Sequence, residues 1–240
     1  MYYYILDYAH NQRQTNFHKK LKQVLSDLNI NGEMAISSPA RGPEEIAQMA
    51  LDRGYTTIVA VGGDLLVNRL VSVIAGSQAA LGVIPYDLSS DLGDLFCGND
   101  LKGACLKLRQ RKTHLIKPGL MHPNTYFLSN ISVKAEKPIK TILEVDEKYA
   151  LEAVINDLSI SRELQGQFLT VGTEHKSPWW KRSTKKDDKL SVFQASSSIS
   201  ISTLAPISVT ICDYEVAKTP TRLSQADEVL KIIVSRDIIQ

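Results

Sequence analysis

Short apolar runs and longer stretches of helical spacing alternate along the first half of the chain. Tyr3–Leu6, Glu33–Ile36, Thr57–Val61 and Leu81–Ile84 are short and rich in β-branched and aromatic residues, which predicts strands. Between and after them, Thr15–Leu28, Pro43–Arg53, Leu65–Ile74 and Leu101–Arg109 read as helices; in the third, Leu66, Leu70, Val73 and Ile74 recur on one face. Pro43 suits a first helical turn, and Gly54 suits the left-handed residue that ends a helix. This alternation predicts βαβ units around a parallel sheet.

Beyond Arg111 the period changes. Tyr126–Val133, Thr141–Val145, Ala150–Ile160, Lys189–Gln194, Ser198–Ser202, Ile207–Cys212 and Val229–Val234 read as strands alternating between two faces and separated by polar turns. The expected fold is therefore an α/β N-terminal domain, residues 1–111, followed by a mostly β C-terminal sandwich domain, residues 112–240. The crossover falls near Lys112–His122, and a cleft between the domains is the default ligand site.

Composition narrows the function classes. The 240 residues are 43% hydrophobic and 22% charged, as in a folded globular protein, and the net charge of +2 gives no field for nucleic-acid binding. The three cysteines, Cys97, Cys105 and Cys212, lack metal or redox spacing and are expected to be reduced and buried. The five histidines show no HxxxH or HExxH pair, and no GxSxG elbow occurs. The N-terminal run has no basic residue ahead of it and no small-residue cleavage site, and no window reaches the length of a membrane span. The expected location is the cytoplasm.

Two segments carry candidate chemistry. In Thr57–Gly76 a buried strand runs through Gly62, Gly63 and Asp64 directly into a helix, a topology that binds phosphate because glycines admit close approach and a helix N-terminus favours anions. A plain structural turn with Asp64 as helix cap reads equally well. The second segment follows the strand at Leu81–Ile84 and places Asp87, Ser89, Ser90, Asp91 and Asp94 in a polar turn. Asp91 and Asp94 are of a type that coordinates a cation, though carboxylates in a first helical turn more commonly serve as caps.

Together these segments resemble the lipid kinase family of diacylglycerol and sphingosine kinases, and more distantly the NAD kinases. IVAVGGD at Ile58–Asp64, then Val67–Asn68 and LGVIP at Leu81–Pro85, is similar to the family's strand, GGDGT loop and strand leading to GTGND. Ser37 with Ala47, and YFLSN at Tyr126–Asn130, extend the likeness, as do DDKLSV at Asp187–Val192 and DYEV at Asp213–Val216, which stand where the family has DGxLDV and DGE. The resemblance implies ATP and Mg2+ as cofactors. It implies nucleotide contacts at Ser37, Gly62, Gly63, Asp64, Ser89, Ser90 and Asp91, metal support from Asp187, and Asp213 as catalytic base with Glu215 beside it.

The chain departs from that pattern at Leu65 and Leu66, which replace a glycine and a threonine, and at Asp87–Asp91, which keeps only the final aspartate of GTGND. Asp7, Tyr8 and His10 stand where the family opens with NPxSG, Tyr214 replaces the glycine of DGE, and Ser191 replaces a carboxylate. The expected function is thus a lipid-kinase-like protein with weakened or lost phosphotransfer that binds a lipid or small phosphate ligand. The alternative is an active ATP-dependent kinase of diacylglycerol, a sphingoid base or a related lipid alcohol.

One segment stands apart from that likeness. KSPWWKRSTKKDDK at Lys176–Lys189 sets Trp179 and Trp180 among Lys176, Lys181, Arg182, Lys185 and Lys186. Tryptophan prefers the headgroup level of a bilayer and basic side chains its anionic surface, so peripheral membrane contact is one reading and a solvated hairpin tip the other. A homodimer and docking through the β domain complete the expected partners.

Overall fold

The computed structural model describes residues 1–7, 12–86, 92, 100–170 and 189–234. Its elements run β1 (Tyr2–Leu6), α1 (Gln12–Asp27), β2 (Gly32–Ile36), α2 (Pro43–Asp52), β3 (Thr57–Gly62), α3 (Asp64–Ile74), β4 (Ala80–Pro85), α4 (Leu101–Gln110) and β5 (Thr113–Ile116). There follow β6 (Gly119–Met121), β7 (Thr125–Phe127), β8 (Ile131–Val145), β9 (Tyr149–Ile160), β10 (Gln165–Thr170) and β11 (Lys189–Gln194). The last are β12 (Ser198–Thr203), β13 (Ser208–Ile211), β14 (Tyr214–Lys218), β15 (Thr221–Gln225) and β16 (Leu230–Ile233).

The chain divides into two compact units. The first takes Met1–Pro118, Tyr126–Ser129 and Ala226–Gln240, and the second Gly119–Thr125 and Asn130–Gln225. The first unit thus extends past the expected boundary at residue 111 and regains the chain's end. The reason is pairing: β16 lies parallel to β4 and antiparallel to β5, so the last strand is inserted between them in the sheet of the α/β unit.

In the first unit a six-stranded sheet has the order β2-β1-β3-β4-β16-β5. Strands β1 to β4 are mutually parallel, and every residue of β3 and β4 is buried, as in a sheet covered on both faces. Tyr4 anchors the core: its hydroxyl donates to the Ile30 carbonyl at 2.6 Å, and burial pushes the phenol far above its ordinary range. The helices end where local chemistry stops them. Gly54 takes a φ of +77° just past α2, and the Asp100 carboxylate caps α4 by accepting from the Gly103 N–H at 2.7 Å.

The second unit is built on a ten-stranded antiparallel sheet with the path β11-β10-β9-β8-β12-β15-β6-β7, from which β13 and β14 branch at β8. Strand β8 is 15 residues long and serves two neighbours, pairing with β13 at Ile131–Val133 and with β12 at Thr141–Val145. The turn after it is held by Asp146, whose carboxylate accepts from the backbone N–H groups of Ser196, Ser197 and Ser198 at 2.6–3.1 Å. Ser196 and Ser197 thus serve as donors to a neighbouring turn, and β12 begins only at Ser198.

Of the cysteines, Cys105 is buried as expected, whereas Cys212 is exposed at a hairpin turn, because its φ of 51° belongs to the turn and not to the strand. Cys97 lies outside the described residues.

Candidate functional site

The four parallel strands end along one sheet edge, and backbone bonds continue the ladders just past them. The Asp7 N–H donates to Val61 at 3.1 Å, Ser37 to Leu6 at 2.8 Å, and Tyr86 to Gly62 at 3.2 Å. Asp7, Ser37, Gly62, Gly63 and Tyr86 are therefore neighbours by topology, at the carboxyl ends of the strands where open α/β sheets place their ligands. Among the candidates on this edge, Ser37 is buried, with 7% of its surface exposed.

Helix α3 starts immediately at this edge. Gly63 is its N-cap in extended conformation and contributes no side-chain cap. Asp64 is the first helical residue, not the cap; its Oδ2 accepts from the Leu92 N–H at 3.5 Å. A carboxylate in the first turn is favoured there by the helix dipole.

What lies against the glycines is a second carboxylate. Oδ2 of Asp7 accepts from the Gly63 N–H at 3.3 Å, and it sits 2.3 Å from where a Cβ on Gly62 would stand. Leu66 Cδ2 is 2.9 Å from the same point. A Cβ on Gly62 would have to displace side chains of the protein itself, whereas a Cβ on Gly63 would meet nothing within 4 Å. An added anion at this turn faces Asp7 and Asp64; one charge pair at 4 Å costs about 1 kcal/mol in water and about 4 kcal/mol at an effective dielectric of 20. On α1, burial lowers the pKa of His18, and the Asp7 carboxylate opposes that shift.

Asn68, one turn into α3, is quoted in the sequence likeness without a role, and the structure supplies one. It is 3% exposed and fully engaged: its amide donates to the Asp64 carbonyl and to Ser129 Oγ, both at 2.8 Å. Its carbonyl oxygen accepts from the N–H groups of Leu128 at 2.7 Å and Ser129 at 3.2 Å. The signal available in the sequence is a polar residue set among Leu66, Val67, Leu70 and Val71 on a buried helix face.

Asp213 and Glu215 belong to the second unit, on the β13–β14 hairpin. Cys212 and Asp213 both have positive φ, 51° and 61°, as the two central residues of a type I′ turn require. The Asp213 carboxylate is 86% exposed and pairs with Lys134 Nζ at 3.2 Å. Glu215 accepts from the Ser208 hydroxyl and lies 3.9 Å from Lys218. Asp213 and Glu215 thus lie on one exposed hairpin, each with its own partners. Ser89, Ser90, Asp91, Asp187, Trp179 and Trp180 lie outside the described residues. Among the described residues no group of three or more metal-ligating side chains gathers, and no helix is long and apolar enough to cross a membrane.

A parallel α/β unit with a glycine turn leading into a helix, followed in the chain by an antiparallel β unit, defines a lipid-kinase-like architecture. Solved structures share it. One of a diacylglycerol kinase from Bacillus anthracis str. Sterne superposes with a TM-score of 0.75 at 13% identity, over 99% of this chain and 98% of that one. Two others from the same organism, described as candidate diacylglycerol kinases, give 0.75 at 12% identity (99% and 97% covered) and 0.76 at 11% (99% and 98%). At such identities the likeness is one of fold. The family model described as the diacylglycerol kinase catalytic domain matches residues 7–121 of this chain. No curated protein matches the chain in sequence.

Proposed function

We propose that this chain is a lipid-kinase-like protein in which ATP-dependent phosphotransfer is weakened or lost and binding of a lipid or small phosphate compound is kept. The observation that carries the reading is the Asp7 carboxylate against Gly62 and Gly63. A triphosphate at that turn needs the same N–H group and the same approach to the backbone, and it needs them without a resident negative charge. The residues present do not fit ATP in this arrangement. Leu66, buried at the foot of the turn, and Leu65 beside it add apolar bulk where the resembled motif has a glycine and a threonine hydroxyl. Ser37, with Ser89 and Ser90 in sequence, supplies neutral hydroxyl donors suited to a smaller ligand.

The test is turnover. With ATP and Mg2+ over mixed micelles of diacylglycerol or a sphingoid base, the expected result is no phosphorylated lipid above a protein-free control. Transfer to any lipid alcohol at a rate ordinary for an enzyme, about 1 s⁻¹ or more, overturns the reading.

One observation favours the alternative of an active lipid kinase: the open space at Gly63 leaves that residue's backbone approachable. On this reading Gly62, Gly63, Asp64 and Asp91 belong to the nucleotide site, Asp187 to the metal and Asp213 to the base that takes the lipid hydroxyl proton. Turnover that survives both Asp64→Asn and Asp213→Asn contradicts those assignments.

A further inference from the structure

The outward face of the second unit's sheet carries a depression of about 190 Å³ where β9, β10 and β11 run side by side. Ser159 pairs with Gln167, and Gln167 with Val192, so these three side chains stand in one row on one face. Gln165 joins that face at a spacing of two along β10. The turn between β9 and β10 closes one end: the Ser161 N–H donates to the Gln165 carbonyl at 2.9 Å, and the Gln165 N–H donates to Ser161 Oγ at 3.3 Å. Asn130 completes the rim. It stands one residue before β8, whose Ile131 pairs with Ile160, which brings it opposite Ser161. Gly166, between the two glutamines, is packed from beneath by the Phe193 ring, 2.1 Å from where a Cβ would stand.

Among the described residues, no ionisable side chain lines this depression. Without a cation it holds nothing to pair with a phosphate or carboxylate, and without a carboxylate nothing to hold a metal ion. Val192, 59% exposed, is its one aliphatic side chain, too little for a lipid tail. What remains is neutral hydrogen bonding. A carboxamide donates through its nitrogen and accepts through its oxygen, and a hydroxyl does both. Among the described residues, the side chains of Asn130, Ser159, Gln165 and Gln167 make no hydrogen bond within the protein, so both roles are open. A ligand matched to this set carries several groups that also donate and accept, and it carries no charge, which describes a polyhydroxyl ring. The volume lies below the roughly 300–1,000 Å³ of sites for drug-sized ligands, as suits one such ring, and Val192 offers methyl groups to its C–H face.

We infer that this depression is a binding site for a small uncharged polyhydroxyl compound, a monosaccharide or cyclic polyol, held by the carboxamides of Asn130, Gln165 and Gln167 with the Ser159 hydroxyl. The inference is independent of whether phosphotransfer survives, because every lining residue belongs to the second unit and the glycine turn belongs to the first.

The experiment titrates the full chain, labelled with nitrogen-15, with D-glucose and with myo-inositol, and follows the side-chain amides by NMR. Saturable shifts of the Asn130, Gln165 and Gln167 carboxamide signals are expected, with dissociation constants of about 1–10 mM. In a Gln165→Ala, Gln167→Ala variant of unchanged melting, the affinity read from the Asn130 amide is expected to fall at least about tenfold. Should that variant melt lower, Asn130→Ala, outside the strands, serves in its place, read from the two glutamines. Methyl glucoside and octyl glucoside below its micelle concentration carry the same ring: equal affinities mark a free sugar as the ligand, and tighter octyl glucoside marks a lipid-borne one. Binding of octyl but not methyl glucoside overturns the inference, since the tail and not the ring would then be held. So does the absence of saturable shifts up to about 100 mM sugar, affinity undiminished in the variant, or the same shifts produced by sodium phosphate at matched ionic strength.

Discussion

The carboxylate of Asp7 accepts a hydrogen bond from the backbone N–H of Gly63 at 3.3 Å, placing a side-chain anion of the protein at a turn whose topology suits phosphate. Gly62 makes room for that carboxylate, and Gly63 lends it a donor. The two glycines are therefore not equivalent. Gly62→Ala puts a methyl 2.3 Å from Asp7 Oδ2 and 2.9 Å from Leu66 Cδ2, and is expected to cost about 1–3 kcal/mol. Gly63→Ala meets nothing and, at a φ of −86°, is expected to cost only the N-cap preference for glycine over alanine, at most about 1 kcal/mol. Urea unfolding of both variants checks this, and equal costs would remove the distinction.

The Asn68 amide leads to a second expectation. Asn68→Ala deprives the Leu128 and Ser129 N–H groups of their acceptor within the first unit, and is expected to destabilise the protein by about 2–4 kcal/mol. Asn68→Asp keeps an acceptor but loses the donor to Ser129 Oγ and to the Asp64 carbonyl, and is also expected to destabilise. Thermal melts are the measurement. A melting point unchanged in Asn68→Ala would show that the 126–129 segment is held by other contacts.

Acid stability should depend on Asp146. Hydrogen bonds from Ser196, Ser197 and Ser198 hold its carboxyl well below the usual carboxylate range. A depressed folded-state pKa contributes stability that is present above the unfolded value, near 3.8, and is lost as pH falls below it. Asp146→Asn is therefore expected to lower stability at pH 7 and to flatten the loss between about pH 4 and pH 2. Melting curves across that range, compared with the unaltered chain, test it; parallel pH profiles would contradict it.

Burial of His18 gives a weaker pH dependence nearby. Its pKa is lowered chiefly by burial, so its contribution is present above its ordinary value of 6.5 and declines as pH falls through that value. NMR titration of the imidazole should place its midpoint below 6.5, and replacing Asp7 by Asn should move it lower still, since the carboxylate opposes the shift. A midpoint at or above 6.5 would contradict the burial of this ring.

Much of the first unit was legible because its central strands are covered on both faces and read as continuous apolar runs. Ile58–Val61 and Leu81–Ile84 are fully buried strands, and Pro43 and Gly54 mark the ends of α2. The return of β16 to this sheet was not legible, since Leu230–Ile233 resembles any short strand and nothing local specifies a partner more than a hundred residues away. Strands β14 and β15 were not legible for a different reason. YEVAK and TRLSQ bury little, so their hydrophobic signal is weak. The glycine turn was found from its local pattern, but Asp7's occupation of it is a contact across 56 residues, invisible to periodicity.

Calorimetric titration of ATP with Mg2+ into the purified chain tests the central claim most directly, alongside an Asp7→Asn, Leu65→Gly, Leu66→Thr variant. The account predicts no measurable binding by the unaltered protein and binding restored in the variant. Micromolar binding by the unaltered chain would contradict it, and would mean that Asp7 yields the Gly62–Gly63 turn to a nucleotide.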